Sequence, residues 1–149
     1  MKCQKNRRVI RLKNDLELSI LSCLLQKPEL MEEVILEDKH FKNNYKLWKF
    51  MQSFYKKFHN FDVTLMCSVV DKRYKLIDYI KVLIDLEPNP NLFKQYQEQL
   101  LRAFLDTERD KYIVGKVFGL ANDLIAKNIT TSDFKTMVDE IYKNADELF

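Results

Sequence analysis

The sequence is poor in the residues that break helices. It holds two glycines and three prolines among 149 residues. β-Sandwiches and α/β folds need more turn residues than this, so the scarcity favours an all-α chain. No apolar run approaches the roughly 18 to 20 residues that cross a bilayer, and no signal-peptide pattern opens the chain. We therefore expect a soluble, cytoplasmic protein.

Residues that carry chemistry are few and scattered. The three cysteines are Cys3, Cys23 and Cys67, an odd and widely spaced set that favours packing thiols over a disulfide framework or a zinc site. His40 and His59 have no second ligand at metal-binding spacing. Gly115-Lys116 follows no glycine-rich loop, so the phosphate cradle of a Walker A motif is missing. The sequence predicts no catalytic residue, no metal and no cofactor, and an ATPase half would have to lie outside this chain.

Charge is distributed unevenly along the chain. Residues 1–13 contain six basic residues and no acid: Lys2, Lys5, Arg7, Arg8, Arg11 and Lys13. The net charge is +3, and +3 minus +6 leaves −3 for the remainder. A mildly acidic body is a poor binder of polyanions, so only this basic tail could act as an electrostatic arm for nucleic acid. The alternative is a frayed terminus that only keeps the chain soluble.

Apolar residues recur at helical spacing through residues 14–86 and predict five helices around one core. The first helix begins at a cap at Asn14 or Asp15, and the second starts at Pro28. The third is an aromatic helix capped by Asn43 or Asn44 that places Trp48 in the core. Asp62 caps the fourth helix, and a fifth carries Leu76, Ile77, Ile80, Leu83 and Ile84.

Lysines occupy the face of the aromatic helix opposite its apolar stripe. They are Lys42, Lys46, Lys49, Lys56 and Lys57. Such a face either contacts an acidic partner or is simply the water-facing side of an amphipathic helix.

A proline-containing linker at residues 87–91 separates this globule from a predicted helical hairpin at residues 92–149. The two prolines disfavour helix before each of them. One long helix then follows from Leu92 to about Lys127. A last helix, capped by Thr131 or Ser132, carries an apolar stripe from Phe134 to Leu148.

The predicted hairpin has more apolar surface than two helices can bury. At about 100° per residue Phe104 and Ile113 lie on opposite sides of the long helix, so one following helix cannot cover both. A two-helix hairpin is marginal by itself, which predicts self-association or a partner; the alternative is that its excess apolar face folds back on the globule. The candidate interface residues are Phe93, Tyr96, Leu100, Phe104, Ile113, Val117, Phe118, Leu120 and Ile125.

The order of these motifs resembles the N-terminal domain of bacterial and phage replicative DNA helicases of the DnaB type. That family has a helix that reads Glu-x-Ser-Val-Leu-Gly-x-Leu-Leu before a Pro-Glu turn, which matches residues 17–29. Its His-Arg-x-Ile-Phe helix is similar to Tyr45-Lys46-Leu47-Trp48, and its Ile-Asp-x-x-Thr-Leu motif is similar to residues 61–65. Ser22 stands at the family's glycine, and this and other departures indicate a divergent member, such as a phage, plasmid or mobile-element version.

The resemblance implies a small helical globule followed by a hairpin, without ATPase chemistry. In such helicases hairpins pair into dimers, and three dimers form a collar above the ATPase ring that docks primase and can contact a loader. We therefore predict a non-catalytic replication module that self-associates and binds primase, helicase loader or helicase, in a bacterial or phage-infected cytoplasm. A free-standing version could act on the host replisome. The alternative is a helical DNA-binding or regulatory protein that uses Lys5, Arg7, Arg8 and Arg11 of the basic tail.

Overall fold

A computed structural model describes residues 2–70 and 75–149, with the side chains of residues 13–70 and 75–149. The α-helices are α1 (Lys2–Gln26), α2 (Tyr45–Phe58), α3 (Val63–Val69), α4 (Leu76–Leu86), α5 (Phe93–Ile125) and α6 (Thr131–Leu148). Short 3₁₀ helices occupy Pro28–Glu33, Asp38–His40 and Pro90–Leu92. No strand occurs in these ranges, and the predicted all-α class is confirmed. Among the described helices, none has the length and hydropathy of a membrane span.

Helix α1 starts earlier than the sequence predicts. It begins at Lys2 rather than at a cap at Asn14 or Asp15. The preceding residues are mostly Lys, Arg, Leu and other tolerant helix formers without glycine or proline, so nothing ends the helix there. The backbone of the predicted basic tail is therefore helical. The side chains of Lys5, Arg7, Arg8 and Arg11 lie outside the described side chains, and their proposed role remains a prediction.

The chain forms two compact units, Met1–Leu101 and Arg102–Phe149, and their boundary falls within α5. We call them the first unit and the second unit. The sequence places a domain boundary at the linker of residues 87–91, and that boundary stays a prediction. The predicted pair of helices after that linker corresponds to α5 and α6.

The first unit is built on one apolar core to which α1, α2, α3, α4 and the start of α5 contribute. Its fully buried side chains include Ile20, Leu21, Leu24, Phe41, Leu47, Trp48, Met51, Met66, Ile80, Leu83 and Leu100. The ring of Trp48 stacks on that of Phe41 with centroids 4.3 Å apart, and its Nε1 donates to Asp38 Oδ1 at 2.8 Å. Burying a side chain of this kind contributes about 1.5–3 kcal/mol, so this core is the main source of the unit's stability.

Helix ends in the first unit follow local sequence signals. Asp62 Oδ1 accepts a hydrogen bond from Leu65 N at 2.8 Å and caps α3, as predicted. Helix α2 ends where His59 takes a left-handed conformation with φ 56°. Glu87, with φ 45°, ends α4 in the same way. These turns direct the chain back so that consecutive helices bury their apolar faces in one core.

Candidate functional site

The second unit has a small core of its own. Ile113 of α5 and Ile141 and Ala145 of α6 are the buried apolar residues here, and Tyr112, Val117 and Leu120 pack against them. Arg109 Nη2 donates to Asp146 Oδ1 at 2.6 Å and links the middle of α5 to the C-terminal end of α6. This core is too small to hide the apolar residues that α5 and α6 carry.

A stripe of apolar side chains on α5 is left exposed. Val114, Phe118 and Ile125 are 67%, 68% and 79% exposed. At 100° per residue these three positions fall within about 40° of arc, whereas Ile113, which packs toward α6, lies about 100° away. We call Val114, Phe118 and Ile125 the α5 stripe. A contiguous apolar surface of this kind marks an interaction site on a soluble protein.

A shallow groove runs beside the stripe between α5 and α6. It encloses about 510 Å³ and is lined by Gly115, Gly119, Leu120, Met137 and Ile141, with four polar side chains at its edge. A Cβ atom added at either glycine would meet nothing within 4 Å. Each glycine costs a helix about 1 kcal/mol relative to alanine, and no packing within the chain requires it. The backbone of α5 is therefore accessible to close approach at this point.

The nine candidate interface residues separate into three groups. Phe93 and Leu100 are buried in the core of the first unit, with Tyr96 packed against it. In the second unit Ile113, Val117 and Leu120 form the core, and Phe104 is half-buried. Phe118 and Ile125 are exposed. The structure thus brings the exposed pair together on one face of α5, and an interface role for each of the nine remains a prediction.

A buried carboxylate that the sequence pattern does not single out for a role organises the start of α2. Glu17 Oε1 accepts hydrogen bonds from the backbone amides of Asn43 at 3.1 Å and Asn44 at 3.2 Å, and Oε2 accepts one from Asn43 Nδ2 at 3.0 Å. Burial raises the pKa of Glu17 from its ordinary 4.5 to about 7, although the hydrogen bonds from Asn44 and Asn43 oppose that rise. The group therefore fixes a loop and titrates near neutral pH.

Two further buried polar residues tie segments that are far apart in the chain. Gln97 Oε1 accepts from Ile35 N at 2.8 Å, and its Nε2 donates to Glu33 O at 3.2 Å. The hydroxyl of Ser22 donates to Leu83 O and joins α1 to α4. Both residues look like ordinary polar positions in the sequence, and no local signal indicates their distant partners.

Cys23 and His40 are both buried in the first unit. Burial raises the pKa of Cys23 to about 11, which keeps the thiol protonated and inert. His40 Nδ1 accepts from Glu37 N at 2.8 Å, and burial lowers the pKa of its ring. No group of three or more metal-ligating side chains occurs in the described parts of the chain.

Comparison with known proteins gives one match. A model of the DnaB-like helicase N-terminal domain matches residues 11–102, which is more than half of the chain. The match runs from α1 into α5 and covers most of the first unit. Searches of curated proteins and of solved structures returned no match.

Proposed function

Because this chain belongs to the DnaB-like helicase N-terminal domain family, we propose that it is a non-catalytic interaction module of DNA replication. The family's domain is non-catalytic. We propose that the chain self-associates through its second unit and binds primase, a helicase loader or a replicative helicase. The observation that carries self-association is the exposed α5 stripe beside a groove with two accessible glycines.

The partner that we propose for the exposed face of the second unit is a second copy of this chain. In a twofold-symmetric dimer the same surface of each copy forms the interface, so the α5 stripes of both copies would be buried against each other. The groove supplies a place where a helix can approach closely, because neither glycine has a side chain in the way. Its edge carries Lys116 together with Asp123 and Glu140, so opposite charges are available for pairing between copies.

The first prediction concerns the oligomeric state. We expect the full chain to form a dimer or larger assembly in sedimentation velocity, and Phe118→Asp with Ile125→Asp to shift it toward monomer. Burial of one phenylalanine contributes about 2 kcal/mol, so the double variant should raise the dissociation constant more than a hundredfold. Ile35→Asp is the control, because Ile35 is 60% exposed but belongs to the first unit. A wild-type monomer at high concentration, or equal effects of both changes, would contradict self-association through this face.

Partner binding needs a separate experiment. We propose that immobilised wild-type protein enriches primase, a loader or a replicative helicase from a bacterial lysate, and that purified candidates then bind it directly. The Phe118→Asp and Ile125→Asp variant shows whether binding depends on assembly. If no purified replication protein binds either form, the partner proposal fails while the oligomeric state still stands.

A further inference from the structure

A second surface feature lies in the first unit, at the start of α2. It is a cleft of about 490 Å³ that extends from the loop before α2 to the start of α4. Its described lining includes three lysines, Lys42, Lys46 and Lys75, and two tyrosines, Tyr45 and Tyr79. None of these residues belongs to the second unit, which carries the α5 stripe.

The charge of the cleft contrasts with that of the chain around it. Residues 14–149 carry a net charge of −3, because the six basic residues of the tail account for more than the total of +3. The side chains of Lys42, Lys46 and Lys75 are exposed within this otherwise acidic body. Three lysines that line one cleft offer positive charge to a polyanion, although the net charge of residues 14–149 is −3.

The two tyrosines supply a second kind of contact. Tyr45 and Tyr79 are 49% and 46% exposed, whereas Trp48 and Phe54 of α2 are buried in the core. Half-exposed aromatic rings beside lysines are the combination that binds single-stranded nucleic acid, because the rings stack on bases while the lysines contact phosphates. An acidic peptide would use the lysines but has no planar base for the tyrosines.

Hydrogen bonds to α1 fix the loop residues that line one side of the cleft. Asn43 and Asn44 line it, and both donate to the buried carboxylate of Glu17. Asn44 Nδ2 also donates to Asn14 Oδ1 at 2.9 Å. Because these bonds fix the loop to α1, little ordering is needed when a ligand binds, which favours affinity.

We propose that this cleft binds single-stranded nucleic acid, with Tyr45 and Tyr79 as base-stacking residues and Lys42, Lys46 and Lys75 as phosphate contacts. The site is distinct from the basic tail and goes beyond the proposed interaction role. A strand held there would lie on the first unit of each copy.

The test is fluorescence anisotropy of a labelled oligothymidylate with the full chain over a range of salt concentrations. We expect Tyr45→Ala and Tyr79→Ala each to weaken binding about tenfold, and Tyr45→Phe to bind like the wild type. Lys46→Gln and Lys75→Gln should each reduce the salt dependence by about one phosphate contact. Lys56→Gln, an exposed lysine at the other end of α2, is the matched control and should change neither quantity. Circular dichroism confirms that each variant is folded.

Three further results decide between sites and ligands. The monomer-shifted Phe118→Asp and Ile125→Asp variant should retain the tyrosine-dependent binding. If Arg7→Ala, Arg8→Ala and Arg11→Ala together abolish binding while the cleft variants bind like the wild type, the tail is the site and the proposal is overturned. It is also overturned if polyglutamate displaces the oligonucleotide at equal charge and tyrosine substitution has no effect, because the cleft is then an acidic-peptide site. Absence of wild-type binding overturns it as well.

Discussion

At the scale of single residues, the start of α2 depends on an acid from a different helix. Asn44 occupies the N-cap position, but its side chain makes no capping bond to the helix. Its amide donates instead to Asn14, and Glu17 of α1 accepts the backbone N–H groups of Asn43 and Asn44. With the bond from Asn43 Nδ2, the buried carboxylate of Glu17 accepts three hydrogen bonds and holds the loop before α2. The same burial makes the stability of the chain depend on pH.

The second prediction is that stability falls between pH 5 and pH 8 because of Glu17. Below its ordinary pKa of 4.5 the group is protonated in both the folded and the unfolded chain, so it carries no ionisation penalty. As the pH rises toward 7 the unfolded chain loses the proton first, and the free energy of unfolding decreases. The full loss is at most about 3.4 kcal/mol, because the pKa rises by about 2.5 units and each unit corresponds to 1.36 kcal/mol. Urea unfolding at a series of pH values measures it.

Glu17→Gln should remove this part of the pH dependence, because glutamine stays neutral while it can still accept the two backbone amides. His40, whose pKa is lowered by burial, is common to both proteins, so its contribution cancels in the difference. Glu98→Gln, an exposed acid on α5, should follow the wild-type curve. Parallel curves for wild type and Glu17→Gln would show that burial of this carboxylate is not linked to folding.

Residue roles that depend on neighbours in the sequence could be predicted, and roles that depend on distant partners could not. The positions of Trp48 in the core and Asp62 at a helix start follow from periodicity and from a local capping pattern. Glu17 and Gln97 are polar residues on amphipathic helices, and a solvent-facing position is the usual expectation for them. Only the fold brings their partners, 26 and 62 or more positions away, into reach.

At the scale of elements, the turn between α5 and α6 is closed at both ends by hydrogen bonds. Asn128 N donates to Asp123 O at 2.9 Å and Lys127 N to Leu124 O at 3.0 Å, with Lys127 left-handed at φ 62°. This is a Schellman motif with lysine where glycine is usual. Thr130 then caps α6 in a capping box with Asp133, two bonds of 3.1 Å. The predicted cap at Thr131 or Ser132 was wrong by one or two positions.

The third prediction tests that cap. Thr130→Ala should destabilise the second unit by about 1 kcal/mol, because Asp133 N loses its acceptor at the positive end of α6. Amide hydrogen exchange in the first turn of α6 should accelerate accordingly. Thr131→Ala removes a neighbouring threonine and should stay within about 0.5 kcal/mol of the wild type. Equal effects of the two changes would show that the capping box contributes nothing measurable.

Helix identities were predictable and several helix ends were not. The sequence indicates each α-helix of the described chain by its apolar spacing, and Pro28 marks a short helix that the structure shows as a 3₁₀ helix. Three adjacent hydroxyl residues, Thr130, Thr131 and Ser132, are all good caps, and the choice among them depends on which one lies three positions before an acid. The early start of α1 was not predicted, because the run of basic residues before Asn14 was interpreted as a tail outside the helix. Arginine and lysine nevertheless favour helix.

At the scale of the whole molecule, one helix serves both units. Phe93, Gln97 and Leu100 lie within two turns of α5, and their side chains are buried in the first unit. The part of α5 after Leu101 carries the core and the stripe of the second unit. The first unit therefore has a complete core without the second, and the second unit has little core without a partner.

The fourth prediction follows from this difference. A fragment of residues 1–101 should fold with helical circular dichroism and unfold cooperatively in urea, because its core is contained within it. It should remain monomeric at the concentrations at which the full chain is proposed to self-associate. The full-length Phe118→Asp and Ile125→Asp variant provides the reference for a monomer with both units. A fragment that is unfolded or that assembles like the full chain would contradict the independence of the first unit.

The fold class and the order of the helices could be predicted from the sequence, but the packing partners of the first turns of α5 could not. Prolines at residues 88 and 90 suggest a division there, since proline interrupts helices. The first unit extends to Leu101, because the first turns of α5 present Phe93 and Leu100 to its core. Apolar residues on a long helix do not reveal which neighbour they pack against, so the burial of Phe93 and Leu100 in the first unit could not be predicted, while the division at residues 87–91 and the candidate interface stay predictions.

The elevated pKa of Glu17 has a thermal consequence. Near pH 6 the native chain holds a proton that the unfolded chain releases to the buffer. The heat absorbed on unfolding therefore includes the heat with which the buffer takes up that proton. Calorimetric enthalpies recorded at this pH in phosphate and in an amine buffer should differ by nearly the difference between the two buffers' protonation enthalpies, and Glu17→Gln should remove the share that belongs to this proton.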